Sequence, residues 1–312
     1  MNYINQPGSD ESTRNLIYIM APSYSGSTLL TCLLATHPKI ATIGELKATA
    51  MGDIDEYVCS CGALLRECGF WEKVRDGMNK KGRSFSLDNF GTNFSADSFV
   101  CDRLLRASVR GPLFEGARSF ALSALPGCGR ETREIIEQNR ALIDVVTGIQ
   151  GGEYFLDGSK EPSRLLHLLR SGRWDVKVIY MTRDGRGVTN SYMRRHGVPM
   201  RVAVREWEVA QREFRWMSGR LDPDRCLKVR YEDIPENPGK VMAMVYDFLG
   251  LDDRPLSADF NQAEHHILGN SMRLSFRGEI RHDEKWKAQL SASDLELFES
   301  EVGWINRELG YE

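Results

Sequence analysis

The sequence predicts an α/β fold on a doubly wound parallel sheet, and three observations carry that expectation. Residues 16–20 (LIYIM), 154–157 (YFLD) and 176–181 (VKVIYM) are short, mostly apolar runs of the kind that strands buried on both faces require. Each leads into a turn of small or polar residues and then into apolar residues at helical spacing, the repeated strand–loop–helix grammar of parallel sheets. With 312 residues, 41% of them hydrophobic, the chain can also bury a sizeable core. The expected organisation is a single domain over 1–312, with a polar N-terminus at about 1–14 and a partly helical insertion at about 79–130.

The first unit is the most informative. After the strand at 16–20, residues 21–28 (APSYSGST) form a small-residue loop, and Leu29, Leu30, Leu33 and Leu34 fall at helical spacing. A strand, a hydroxyl-rich turn and a helix N-terminus gather unpaired backbone N–H groups and the positive end of the helix dipole, which suits a phosphate-bearing ligand. Tyr24, Ser25, Gly26, Ser27 and Thr28 are therefore candidate binding residues. The same residues also suit an ordinary capped helix start. A nucleoside-triphosphate loop would read G-x-x-x-x-G-K-[ST]; Ser-Gly-Ser-Thr lacks the first glycine and the lysine, which argues against ATP or GTP.

Residues 39–44 (KIATIG) read as a short strand ending at Glu45, a carboxylate that projects over the phosphate loop or lies at the surface. From 80 to 129 no period is sustained, and helical order returns from Glu131 to about Thr147. The strand at 154–157 leads into Gly158-Ser159-Lys160-Glu161-Pro162, where Pro162 suits the first turn of the helix carrying Leu165, Leu166, Leu168 and Leu169. Lys160 thus stands at a strand-to-helix turn. After the strand at 176–181 come Arg183 and a helix with Ser191 and Arg195 four residues apart on one face. Arg–Ser–Arg fits a phosphate monoester through guanidinium forks and a hydroxyl, although Arg186 and Arg194 also fit a solvated basic helix. Residues 201–217, with Trp207, Phe214 and Trp216, read as an amphipathic helix with packed aromatics.

Composition limits the alternatives. A net charge of −3 and a pI near 6.1 give no global basic field, so no nucleic-acid partner is expected and any anion site is local. Residues 1–15 lack an apolar targeting core and no stretch approaches the ~20 apolar residues of a membrane span, from which a cytoplasmic protein is expected. The seven cysteines are read as reduced thiols. Cys59, Cys61 and Cys68 cluster in sequence and offer three zinc ligands with a fourth from elsewhere, or else packing thiols or a local disulfide; no second Cys-x-x-Cys or His pair completes the set. His265-His266 has no metal-spaced partner, so a packed or surface role is expected.

Two anion sites on one parallel sheet form a more specific constellation, and here the sequence resembles the sulfotransferases that use 3′-phosphoadenosine 5′-phosphosulfate (PAPS). Pro22…Ser25-Gly26-Ser27-Thr28-Leu29-Leu30…His37-Pro38 is similar to the family's P-loop-like 5′-phosphosulfate loop and helix. Arg183-Asp184-Gly185-Arg186…Ser191…Arg195 resembles the 3′-phosphate motif, especially that of the protein-tyrosine sulfotransferases. The resemblance extends to Tyr231-Glu232-Asp233, to Leu268-Gly269-Asn270-Ser271-Met272-Arg273, to Trp286 and to Leu309-Gly310-Tyr311, leaving out about 80–129.

The resemblance implies roles. Ser25, Gly26, Ser27 and Thr28 would hold the 5′-phosphosulfate; Arg183, Ser191 and Arg195 the 3′-phosphate, with a hydroxyl from Tyr231; Ser271 and Arg277 would join the donor site. Glu45 matches the proposed general base, and Lys160 a lysine near the leaving phosphate. In-line sulfuryl transfer from PAPS, leaving PAP, would need no metal. One departure is Tyr24, which stands where the family commonly has Arg or Lys; Arg273, Arg277 or Lys285 is the candidate replacement cation. A P-loop kinase and a PAP-binding module without catalysis remain the alternatives. The acceptor, whether small molecule, carbohydrate, lipid or tyrosyl peptide, is not read from cofactor motifs, nor is the oligomeric state.

Overall fold

The computed structural model describes residues 14–48, 51–254, 266–275 and 280–312. In chain order the elements are β1 (Arg14–Met20), α1 (Ser27–Leu34), β2 (Ile40–Thr42), α2 (Gly69–Lys80), α3 (Phe99–Arg106), α4 (Pro112–Ala124), α5 (Cys128–Gln150), β3 (Tyr154–Lys160), α6 (Pro162–Ser171), β4 (Trp174–Thr182), α7 (Gly185–His196) and α8 (Met200–Ser218). They are followed by β5 (Cys226–Arg230), α9 (Asp233–Glu236), α10 (Pro238–Leu249), α11 (Met272–Ser275), α12 (Trp286–Gln289) and α13 (Ala292–Glu308). The strands form one parallel sheet in the order β2-β3-β1-β4-β5. Helices cover both faces, as the sequence predicts.

Strand periodicity divides the core. Leu16, Tyr18 and Met20 of β1 point to one face and pack with Trp71 and Val74 of α2, Leu142 and Val146 of α5 and the leucines of α6. Ile17 and Ile19 point to the other, against Leu30 and Leu33 of α1 and Val241 and Val245 of α10. Residues this deeply buried, Ile17 and Ile19 being fully shielded, stabilise by roughly 1.5–3 kcal/mol each. A third cluster joins Val188 of α7, Trp207 of α8 and Phe298 and Val302 of α13.

Helix ends follow local chemistry. Pro162 starts α6, the Asp184 side chain accepts from the Arg186 N–H at the start of α7, and Ser291 with Asp294 forms a capping box on α13. The insertion expected at about 79–130 contains α3 and α4 and passes into α5.

One strand was not anticipated and two expectations are corrected. The edge strand β5 has no counterpart in the periodicity, because CLKVR is short, carries two cations and buries only Val229 fully. The strand expected to stop at 157 continues to Lys160. Finally, the seven cysteines are not all reduced thiols: Cys101 at α3 and Cys128 at the start of α5 are disulfide-bonded, their Cα atoms 5.4 Å apart. The sequence separation of 27 residues hid this pair, since only the packing of α3 beside α5 brings them together.

Candidate active site

The carboxyl ends of β1, β3 and β4 open onto a cleft of about 1080 Å³. Tyr24, Gly26, Ser27, Thr28, Glu45, Lys160, Arg183, Ser191, Arg195, Tyr231 and Ser271 all line it. Residues as far apart in sequence as Tyr24 and Ser271 therefore share one cleft, as ligand sites in open parallel sheets do. Arg277 lies outside the described residues.

The loop after β1 is built to present N–H groups. Gly26, at φ +81°, turns the chain into α1, and a Cβ there would stand 2.3 Å from the Tyr231 ring, so only glycine fits. The first turn of α1 carries no acid and no side-chain cap, which leaves its N–H groups for a ligand. Ser25 is fully buried, and its Oγ has no hydrogen-bond partner. An orphaned buried hydroxyl beside a helix N-terminus fits an anion better than it fits a finished core.

Glu45 and Lys160 meet across the cleft floor. Lys160 Nζ lies 2.5 Å from Glu45 Oε1, and both side chains are largely shielded. Two backbone features aim them. In the β1–β3 pairing, Tyr18 faces Asp157 but Met20 faces Lys160, so β3 carries one extra residue and Lys160 takes φ +76°. Glu45 follows Gly44, whose φ of +80° lets the backbone approach the Leu268 carbonyl; a Cβ would lie 2.4 Å from it.

A buried network beneath holds this pair. The Asp157 carboxylate accepts from the Leu46 N–H at 3.2 Å, from the Ser159 N–H at 2.9 Å and from Arg164 Nε at 2.9 Å. Arg164 in turn donates to Asn139 Oδ1 and to the Thr92 carbonyl at 2.7 Å. Ser159 Oγ accepts from the Lys47 N–H at 3.0 Å, so the chain on each side of the ion pair is pinned to one fully buried carboxylate.

At the other end of the cleft Arg183 is nearly buried. Its guanidinium donates to the Tyr24 carbonyl at 2.8 Å, pairs with Asp283 at 3.1 Å and lies over the Tyr231 ring at 4.4 Å. The Tyr231 hydroxyl donates to the Arg281 carbonyl at 3.4 Å, and its ring supports Arg183. Ser191 Oγ donates to the Gly187 carbonyl, and Arg195 is exposed on the same helix face. A cavity of about 560 Å³ continues past Arg183, Ser191 and Arg195 to Trp286.

Tyr24 takes φ +65°, uncommon for a bulky residue, and its hydroxyl is 3.0 Å from His196 Nε2. Partial burial raises its phenol above the usual value against the pull of Arg195. Of the replacement cations, Arg273 and Lys285 both line the cleft, and Arg273 spends its guanidinium on the carbonyls of Gly269 at 2.9 Å and Val58 at 2.6 Å. Lys47, Tyr57, Arg281 and Asp283 also line it and were not expected. No motif marks them; only Asp283 and Arg281, beside Trp286 in a dense charged run, carry any signal.

The sulfotransferase family profile matches residues 17–255, well over half of the chain. The chain belongs to the sulfotransferase family. Among solved structures, the sulfotransferase domain from the Synechococcus PCC 7002 olefin synthase matches with a TM-score of 0.56 at 18% identity, covering 99% of this chain and 98% of that one. The sulfotransferase domain from the curacin biosynthetic pathway gives a TM-score of 0.52 at 18% identity, with 96% and 98% covered. No curated protein matches this sulfotransferase significantly. No helix among the described residues is long and apolar enough to cross a membrane.

Proposed function

We propose that this sulfotransferase uses PAPS as donor and moves its sulfuryl group to an acceptor hydroxyl or amine. The observation that carries the reading is the single cleft that joins a helix N-terminus, the Glu45–Lys160 ion pair and the Arg183–Ser191–Arg195 face. The donor fits these residues: Ser25 Oγ and the first N–H groups of α1 suit the 5′-phosphosulfate, and Arg183, Ser191 and Arg195 the 3′-phosphate. Ser271, at the rim, belongs to the same donor site.

When bound, PAPS supplies an activated sulfuryl group. As the acceptor atom forms its bond to sulfur, Glu45 takes the acceptor proton, and the electron pair of the breaking S–O bond stays on the departing phosphate of PAP. Lys160 has three N–H donors, so it can keep Glu45 oriented while donating to the oxygen on which charge develops. A cavity of about 450 Å³, lined by Phe94, Leu105, Glu213 and Phe214, shares Ser23, Lys47 and Lys160 with the donor cleft. Acceptor entry through that cavity is part of the proposal, and its wall of apolar side chains with charges of both signs suits a partly apolar acceptor.

Calorimetric titration with PAP, in parallel with ADP plus magnesium, tests the donor. PAP alone is expected to bind, and Arg183→Ala to weaken it roughly 10- to 100-fold, since hydrogen bonds to charged groups contribute about 1.5–3 kcal/mol. Binding of ADP with magnesium but not of PAP would replace this reading with a kinase-type one. With an acceptor in hand, Glu45→Gln is expected to keep PAP affinity and lower turnover roughly 10²- to 10⁴-fold; unchanged turnover would remove Glu45 as base.

A further inference from the structure

The cysteine cluster acquires the fourth ligand that its sequence spacing lacked. Residues 57–65 fold into a tight knuckle: Val58 bridges Leu64, the Cys59 N–H donates to the Ala63 carbonyl at 2.9 Å, and Gly62 turns at φ +94°. Cys68 follows at the N-cap of α2, so its sulfur faces the knuckle from a helix start. The segment 266–268 then runs beside the chain after β2, with the Leu268 N–H donating to the Ile43 carbonyl at 2.7 Å. The Ile267 N–H donates to Ser60 Oγ at 2.7 Å, which fixes this segment on the knuckle. His266, buried like Cys59 and Cys68, stacks on Phe70 with ring centroids 4.1 Å apart, and its Nδ1 is thereby aimed at the sulfurs.

The resulting polyhedron has the dimensions of a metal site. His266 Nδ1 lies 3.5 Å from Cys59 Sγ and 3.3 Å from Cys68 Sγ, and the Cys61 and Cys68 sulfurs are 3.6 Å apart. All four atoms fall within 4.8 Å of one another. A tetrahedron with Zn–S near 2.3 Å and Zn–N near 2.0–2.1 Å has edges of about 3.5–3.8 Å. A disulfide would need two sulfurs at about 2.05 Å, and these stand apart although Cys101 and Cys128 in the same molecule are joined.

We propose that Cys59, Cys61, Cys68 and His266 bind one zinc ion tetrahedrally, as a structural clamp between the 57–68 knuckle and the 266–273 segment. Three soft sulfurs with one imidazole select zinc over oxygen-seeking cations, and four protein ligands leave no position for a reacting water. None of the four lines the donor cleft, so the ion is separate from sulfuryl transfer. What it controls is the cleft wall. Tyr57 Oη accepts from the Gly269 N–H at 3.0 Å, and Arg273 donates to the Val58 carbonyl while its guanidinium covers the Tyr57 ring at 4.4 Å. Tyr57, Gly269 and Arg273 all line the cleft. The expectation that His266 has no metal-spaced partner is thus overturned by the fold, which brings it across 198 residues to Cys68.

The test is elemental analysis of the full chain purified without chelator, which reads metal content whatever reaction the protein performs. One zinc per chain is expected, retained in Cys226→Ser and lost in the Cys61→Ser/His266→Ala double variant. Co²⁺ added to chelator-stripped wild type should give thiolate-to-cobalt charge-transfer bands and the intense visible bands of a tetrahedral site, saturating at one equivalent. Folded, zinc-supplemented wild type with no stoichiometric zinc and no such cobalt bands would overturn the clamp, as would stoichiometric zinc in the double variant. The cobalt spectrum decides the matter even if the double variant fails to fold.

Discussion

Arg183 shows how one side chain at the cleft is held in place by its neighbours. It is held by the Tyr24 carbonyl and the Tyr231 ring, and its remaining charge is met by Asp283. Under the proposed function, a 3′-phosphate at Arg183 would share or displace that carboxylate. Asp283→Asn is therefore expected to tighten PAP binding by about fivefold, the equivalent of ~1 kcal/mol for a half-exposed ion pair, as read by calorimetry. The same pair carries a pH signature. Partial burial alone would raise the Asp283 carboxyl, but the Arg183 guanidinium and the Lys285 N–H hold it below the usual aspartate value. A depressed acid stabilises the fold above its unfolded value and loses that contribution as pH falls through the folded one. Melting temperature should thus fall as pH drops below about 4, and Asp283→Asn should flatten that limb; an unchanged limb would remove the pair from the account. Tyr24 and Lys160 add a second residue-scale lesson. Both take left-handed backbone angles in the active cleft, where surrounding structure must hold a conformation that bulky residues rarely adopt.

At the scale of elements, the decisive feature is the end of β3. One extra residue there turns Lys160 towards Glu45, and Asp157, fully buried, ties this end to Leu46 and to Arg164 of α6. The arrangement lets α6 support the candidate site through the Arg164–Asp157 pair. Asp157→Asn would leave the Arg164 charge buried without its counter-ion, a change that costs roughly 3–5 kcal/mol. Chemical denaturation should show that loss, together with reduced turnover, because the Leu46 and Ser159 N–H bonds that set the ion pair are weakened as well. A variant as stable as wild type would show that Asn139 and Thr92 suffice to compensate Arg164. The sequence signals for this region were partial. Pro162 and the leucines of α6 announced a helix, but an aspartate in YFLD looks like a strand end until the bulge carries the strand past it.

For the whole molecule, the sheet carries two large apolar faces, and a covalent bond ties α3 of the insertion to the start of α5, whose apolar residues pack on one of them. Cys101 and Cys128 close a loop of 27 residues around α4. Closing a loop of that length removes unfolded-state entropy equivalent to roughly 3–4 kcal/mol, so Cys101→Ser/Cys128→Ser is expected to lower unfolding free energy by about that amount. Equal stability of the double variant and the oxidised wild type would show that α3 and α4 are held by packing alone. The knuckle at 57–68 and the segment at 266–273 form a second fastening, and together the two devices secure the parts of the chain that the sheet does not itself hold.

The sequence by itself determined the parallel sheet, and it pointed to the loop at Ser25–Thr28 and the Arg183–Ser191–Arg195 face that the proposal uses. These rest on local rules: apolar runs, turn chemistry, helix periodicity and motif spacing all act within about ten residues. It also singled out Glu45 and Lys160, although β2 ends at Thr42 and only Lys160 stands at a strand end. Only the tertiary structure decided that Glu45 and Lys160 form an ion pair, that Tyr231 supports Arg183 with its ring, that Asp283 competes for it, and that His266 and Cys101 find cysteine partners. Each of those contacts joins residues between 27 and 207 positions apart. No local rule encodes such a pairing, because it is fixed by how the sheet and its helices close upon one another.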